Sequence, residues 1–240
     1  MPRAGARPRG RDTWAEVPFS GPLYAILDLP HAGGLRPEVA AGALAEAGVR
    51  LVQLRAKHAS PAERVALARG LLPVLRARGA ALVVNDDVEA ALAAGADGVH
   101  LGQEDLDLAG LARGPYLRAL RSRARGGFLV GLSTHSERQV SASEELDLDY
   151  IGFGPVFPTR SKTDPDPVVG LEGLRRACEI SSRPVVAIGG IGLEEAPACI
   201  RAGADAVAMI GALVAASALV LCERASDLLE VLRRARAARD

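Results

Sequence analysis

Asn85-Asp86-Asp87 ends one apolar run of the chain, and Gln103-Glu104-Asp105 ends the next. Asp86 and Asp105 are 19 positions apart, one strand–helix repeat, which places them on neighbouring strands about 5 Å from each other. Two carboxylates at that spacing repel unless something positive lies between them. A hard divalent cation such as Mg²⁺ is commonly held by one or two carboxylates, with water and phosphate oxygens filling the remaining positions. Helix capping is the competing use, because Asp86 or Asp87 can accept a backbone N–H from a helix that begins near Val88. One residue suffices for a cap, so Asp87 is assigned to it and Asp86 to the cation. Glu104 reads as a solvated loop acid.

Positive charge stands next to this pair. Gln53, Arg55 and Lys57 alternate along the preceding apolar run, so all three share one face of a strand. They form either a structural ion-pair network with the acids or the second half of an anion site, both signs converging on a metal-bound phosphate ester. Lys162 lies in "PTRSKTDPDP", a loop whose composition suits a lid over substrate. Further on, "AIGGIG" (187–192) offers backbone N–H groups with no side chains in the way, and "MIGA" (209–212) opens the next helix. Such turns after the last two strands of a barrel bind phosphate. No serine–histidine–acid or cysteine–histidine nucleophile is evident. His100 falls within a strand, His135 near a helix start, and His31 and His58 in loops.

The elements that must position these groups follow from hydropathy. Apolar runs at 23–29, 50–56, 81–85, 98–101, 128–133, 150–154, 184–190 and 206–211 alternate with helix-like segments. The runs are continuous rather than alternating, as parallel strands buried on both faces require. Eight such strands point to an α/β fold of the (β/α)8 TIM barrel type, a single domain over 21–240. Gly48, Gly95 and Gly203 each stand where a helix stops before a strand. Ser60-Pro61-Ala62-Glu63 and Ser136-Glu137-Arg138-Gln139 read as capping boxes.

Composition excludes several classes. The 29 basic and 29 acidic residues cancel, and aromatics make up 3% of the chain, so neither a nucleic-acid nor an anionic-membrane partner is implied. Cys178, Cys199 and Cys222 fit no disulfide or zinc pattern and read as reduced, buried cysteines of a cytoplasmic protein. The Arg-rich segment 1–20 reads as a disordered tail, not a secretory signal. The most apolar stretch, 211–222, is too short to cross a membrane.

Taken together, "QLRAK", "VNDD", "HLGQED", "GLSTHS", "GPVFPTRSK", "VGLEGL" and "AIGGI", in this order and spacing, resemble the thiamine-phosphate synthase family over roughly residues 22–235. The resemblance implies a Mg²⁺-dependent barrel (one ion) that joins a hydroxymethylpyrimidine diphosphate to a thiazole phosphate and releases diphosphate. On this resemblance Gln53, Leu54, Arg55, Ala56, Lys57, Asn85, Ser133 and Lys162 would hold the pyrimidine diphosphate. Arg55, Lys57, Ser133 and Lys162 would be the catalytic group. Asp86 and Asp105 would ligate the metal. Thr159, Arg160, Ser161, Gly190, Ile210 and Gly211 would receive the thiazole phosphate. The partners implied are these small molecules alone, with a homo-oligomer left open.

Three features depart from the family's pattern, the Arg-rich tail being one and two positions the others. Ala56 replaces a glutamate often found there, and Gly211 replaces a serine common after the eighth strand, removing a hydroxyl from the second phosphate site. The alternatives are a thiazole tautomerase-like paralogue, which would use His135 and lacks the paired acids, and a non-catalytic thiazole phosphate-binding barrel. A phosphosugar isomerase would need a paired general acid and base at the strand ends, and Asp86 has no evident partner for that role.

Overall fold

The computed structural model describes residues 21–29, 33–107, 113–159 and 166–239. The expected tail, His31, and the loop residues Arg160, Ser161 and Lys162 lie outside them. Eight strands, β1 (Leu23–Asp28), β2 (Leu51–Arg55), β3 (Ala81–Asn85), β4 (Gly98–Leu101), β5 (Leu129–Thr134), β6 (Tyr150–Phe153), β7 (Val185–Ala187) and β8 (Ala206–Met209), close into a barrel in chain order. Every neighbouring pair is parallel, including β1 with β8. The TIM-barrel expectation is borne out. Each run read as a strand becomes one, some trimmed at the ends. β7 stops at Ala187 because Gly189 and Gly190 take left-handed φ values of 94° and 66°, which turn the chain off the sheet.

Nine helices surround the barrel among the described residues: α1 (Pro37–Glu46), α2 (Pro61–Arg76), α3 (Val88–Ala94), α4 (Gln103–Asp107), α5 (Arg113–Arg123), α6 (Glu137–Ser143), α7 (Gly170–Ile180), α8 (Ala196–Arg201) and α9 (Ala218–Arg239). α9 packs against both α1 and α8 and closes the ring. α2 starts at a complete capping box: Glu63 N donates to Ser60 Oγ at 3.3 Å, and Ser60 N donates to Glu63 Oε2 at 2.8 Å. The box expected at Ser136 is half made. Ser136 Oγ accepts from Gln139 N at 3.3 Å, but the Gln139 carbonyl takes its proton from His135 N, at 2.6 Å, rather than from Ser136. Gly48, Gly95 and Gly203 all lie at positive φ after their helices, as expected. Among the described residues no helix is long and apolar enough to cross a membrane.

Two layers of side chains hold the barrel. Leu44, Leu54, Leu71, Leu82, Leu101 and Ile151 lie between strands and helices, while Tyr24, Ile26, Leu51, Val83, Leu129, Tyr150 and Val186 fill the inside. Small residues make room for large polar ones within. A Cβ on Gly131 would stand 2.2 Å from Tyr150 Cζ and 2.6 Å from His100 Nδ1, so only glycine fits opposite that pair.

The barrel floor is stitched by a repeated device. Asp97, Asp149 and Asp205, each immediately before an even-numbered strand, accept the backbone N–H of Leu82, Val130 and Val185 on the strand before, at 2.8, 2.6 and 2.9 Å. Their own N–H groups donate back to the carbonyls of those residues. Asp97 and Asp205 each close an identical Ala-Gly-Ala-Asp segment, at 94–97 and 202–205. Asp97 is buried and additionally pairs with Arg76 and Arg125.

Cys178 and Cys199 are buried, but Cys222 is only half-buried, which corrects the expectation for it. It lines a shallow groove with Glu38, Val39, Val74 and Arg78, outside the barrel between helices and away from the strand ends. Burial pushes the Cys199 thiol up to about 12, so it is inert as a nucleophile.

Candidate active site

The inward-facing residues at the C-terminal ends of β1, β2, β3 and β5 are Asp28, Arg55, Asn85 and Ser133, and the first pair is joined. Arg55 Nη1 donates to Asp28 Oδ1 at 2.5 Å, with both side chains largely buried. The sequence reading missed Asp28. The signal was present in "LYAILD", where Tyr24, Ile26 and Asp28 alternate and so share the inner face.

After β3 the chain makes a three-residue turn. Asp87 N donates to Asn85 O at 2.8 Å, Asp86 N donates to His100 O at 2.8 Å, and Asp86 sits at φ 63°. It is the one non-glycine residue among those described with a left-handed φ, a conformation aspartate tolerates better than most but which still stores strain. The turn separates the two acids as expected. Asp87 caps α3 by accepting from Ala90 N at 2.8 Å and pairs with Arg64. Asp86 turns to Asp105, which sits in the first turn of α4 and accepts from Gly102 N at 2.6 Å.

The two carboxyl groups come within hydrogen-bonding reach. Partial desolvation at the barrel rim, followed by the Asp105 charge, pushes the Asp86 carboxyl up to about 6, against the opposing pull of Lys57 and then Arg55. More than a third of the Asp86 surface stays open to solvent, so this is a rim carboxyl accessible from the mouth rather than a sealed one. Two facing carboxyl groups are a natural seat for a hard dication. No cluster of three or more potential His, Cys, Asp or Glu ligands occurs among the described residues. The donor set is therefore two carboxylates with open positions, which suits Mg²⁺ bound together with substrate oxygens.

Gln53, Arg55 and Lys57, expected on one strand face, meet three different surroundings. Gln53 is buried lower in the barrel, where Nε2 donates to the Tyr24 hydroxyl at 2.9 Å. Arg55 is held by Asp28, and Lys57 is exposed just beyond the strand. Leu54 and Ala56 face the helices, so backbone groups alone could bring them to a ligand. Ser133 is half-buried, with Oγ 3.0 Å from His100 Nε2. His100 Nδ1 lies 3.1 Å from the Tyr150 hydroxyl, which is 2.9 Å from that of Tyr24. Burial raises both tyrosine pKa values, so each remains an O–H. His100, in β4, therefore has a polar role that its apolar sequence context hid.

Across the mouth, the turns after β6 and β7 meet. A Cβ on Gly190 would lie 2.4 Å from Pro158 O and 2.6 Å from Phe157 O, so this glycine lets the β6 loop lie on the β7 turn and sets Thr159 beside it. The backbone there is partly committed: Gly192 N donates to Glu195 Oε2 at 3.1 Å. Gly211 is exposed, follows Ile210 and opens a single 3-10 turn (Gly211–Leu213) rather than a full helix. His135 Nδ1 is 2.6 Å from Gly154 O, and Nε2 is 3.5 Å from Asp166 Oδ2.

Comparison with known proteins agrees with this arrangement. Residues 23–213 match the family model described as thiamine monophosphate synthase. The thiamine-phosphate synthase of Koribacter versatilis is 40% identical over 217 residues, covering 88% of this chain and 95% of its own. That of Chloroflexus aurantiacus is 38% identical over 202 residues, covering 84% and 89%. Among solved structures, a thiamine phosphate pyrophosphorylase from Pyrococcus furiosus superposes with a TM-score of 0.75 at 31% identity, covering 92% of this chain and 98% of that one. With a closed eight-strand barrel, a paired-carboxylate mouth and these relatives over nearly its whole described length, the chain belongs to the thiamine monophosphate synthase family.

Proposed function

We propose that the barrel mouth transfers a pyrimidinylmethyl group from a hydroxymethylpyrimidine diphosphate to the ring nitrogen of a thiazole phosphate, releasing diphosphate. The observation that carries this reading is the Asp86–Asp105 pair with Lys57 and Arg55 acting on the same carboxyl. Opposite charges converge there, with Arg55 already oriented by Asp28 and Lys57 exposed just beyond the strand, as a site for a metal-bound anion requires.

Asp86 and Asp105 would hold one Mg²⁺, which when bound supplies positive charge to the diphosphate oxygens. The remaining work falls to the chain. Arg55, kept in place by Asp28, and Lys57 meet the charge that grows on the leaving diphosphate, joined by Lys162 from the loop after β6. Ser133 and Asn85 add neutral hydrogen bonds from β5 and β3. Donors fixed before reaction lower the barrier most, because they need no reorganisation as the C–O bond breaks. Thr159, Arg160, Ser161, Gly190, Ile210 and Gly211 would receive the thiazole phosphate on the opposite rim, so that its nitrogen faces the reacting carbon. No protein nucleophile takes part. Small molecules are the partners of this reaction.

The test is to mix both phosphorylated precursors with the protein, with and without Mg²⁺, and follow diphosphate release. Metal-dependent release requiring both substrates, abolished by Asp86→Ala and by Lys162→Ala, is the expected result. Metal-independent thiazole isomerisation that depends on His135 would replace this reading with the tautomerase one.

A further inference from the structure

Five polar side chains form one hydrogen-bonded file across the barrel interior: Gln53 on β2, Tyr24 on β1, Tyr150 on β6, His100 on β4 and Ser133 on β5. The first four are buried, with relative exposures of 3%, 2%, 0% and 7%. Ser133 alone reaches the mouth. One bond of the file, Gln53 Nε2 to the Tyr24 hydroxyl, has its donor set by atom type, and the direction of the others is argued from it.

Gln53 Nε2 is a donor, so the Tyr24 oxygen accepts. The Tyr24 proton must then go to Tyr150; were Tyr150 to donate instead, the Tyr24 proton would be buried with no acceptor, at the cost of a lost hydrogen bond. Tyr150, having accepted, passes its own proton to His100 Nδ1. A neutral imidazole that accepts at Nδ1 carries its hydrogen on Nε2, and Nε2 faces Ser133 Oγ at 3.0 Å. Ser133 Oγ is thus an acceptor toward the barrel, which leaves its O–H to donate outward.

We propose that His100, with its tautomer set by Tyr150 and Tyr24, is a positioning residue that makes the Ser133 hydroxyl an obligate donor toward the diphosphate. The proposal rests on the synthase reading for the identity of the anion, but the polarity of the file does not. Every member is polarised by the one before it, so the whole file reinforces a single orientation. Gly131 and Gly152 leave the space it needs, the His100 ring being 3.3 Å from where a Gly152 Cβ would stand. The reverse polarity would require the Gln53 amide turned over. It would give a Nδ1–H imidazole and a Ser133 hydroxyl spent on His100, with only lone pairs facing a diphosphate that itself offers only acceptors.

The tautomer can be read directly by long-range ¹⁵N NMR of the full chain, labelled at histidine, at pH 7.5 with Mg²⁺ and inorganic diphosphate as the probe. The His100 signals are assigned by their loss in His100→Gln. A neutral Nε2–H ring is expected. A Nδ1–H ring, a mixture or a charged imidazole overturns the proposal. Tyr24→Phe should convert the single tautomer to a mixture, and an unchanged Nε2–H ring in that variant also overturns it.

A second arm measures kcat/KM for the pyrimidine diphosphate. Tyr150→Phe should lose about tenfold in the parent and less than about twofold in a Ser133→Ala background. Equal losses in both backgrounds would mean that Tyr150 acts on packing alone. If the synthase reading itself fails, turnover is absent in the parent while the tautomer result stands unchanged.

Discussion

Arg55 reaches the mouth already paired: its Nη1 stands 2.5 Å from Asp28 Oδ1, strand against strand, with only 6% of the Asp28 side chain exposed. The pair fixes the direction of a guanidinium that would otherwise sample several rotamers. Asp28→Asn keeps the shape and removes the charge. Arg55 then keeps an acceptor but loses its counter-charge in a largely buried site, with an expected cost of about 2 kcal/mol in urea unfolding and about a tenfold loss in kcat/KM. Wild-type values on both measurements would remove Asp28 from the site.

Asp86→Asn should divide stability from activity. The amide relieves repulsion with Asp105, and asparagine also tolerates the left-handed backbone at φ 63°. The metal-free variant is expected to melt about 2 °C higher while its Mg²⁺-dependent turnover disappears. A lower melting temperature in calorimetry would contradict the account of this carboxyl.

The same group sets a pH dependence. Its folded value of about 6 lies above the ordinary 3.8, so the folded chain keeps a proton that the unfolded chain releases. Between those two values the metal-free protein therefore loses stability as the pH rises, and above about 6 the loss is complete. A cation must displace that proton, so Mg²⁺ affinity should fall about tenfold per pH unit below 6. Titration of Mg²⁺ at pH 5 and pH 7.5 checks this. Equal affinities at the two would refute it.

Gly211→Ser asks whether the second phosphate lies where proposed. Gly211 has no positive φ, and nothing lies within 4 Å of an added Cβ, so serine fits without strain. A hydroxyl at that rim should lower the KM for thiazole phosphate by about tenfold, the worth of one hydrogen bond to a charged group. KM for the pyrimidine diphosphate should stay put. A change confined to the pyrimidine substrate would move the second site elsewhere.

On the floor of the barrel, Asp97→Ala strands the Leu82 N–H and unpairs Arg76 and Arg125. It should cost about 3 kcal/mol and leave kcat unchanged in the folded fraction. Glu172→Ala, on the exposed Arg175–Arg176 network of α7, should leave the denaturant midpoint essentially unchanged. Similar losses from both, measured by denaturant unfolding, would deny the floor its special role.

The barrel itself was legible in the chain because burial on both faces leaves a one-dimensional mark: continuous apolar runs, separated by helix stops at Gly48, Gly95 and Gly203. The Asp86–Asp105 pairing was legible too, since one repeat of a closed parallel barrel fixes which strand ends are neighbours. The division of labour between Asp86 and Asp87 followed from a cap needing only one acceptor.

What the sequence could not carry was the interior of the barrel. Gln53 and Arg55 look alike on a strand, yet one is spent below on Tyr24 and the other is held above by Asp28. Ser136 and Gln139 had the spacing of a capping box, but the Gln139 carbonyl found the nearer His135 N–H. Partners such as Tyr24 and Tyr150 are 126 residues apart, and the space Tyr150 occupies depends on the missing side chain of Gly131. Periodicity reports which face a residue takes; only the closed barrel decides what stands across from it, because distance across a barrel has no counterpart in distance along the chain.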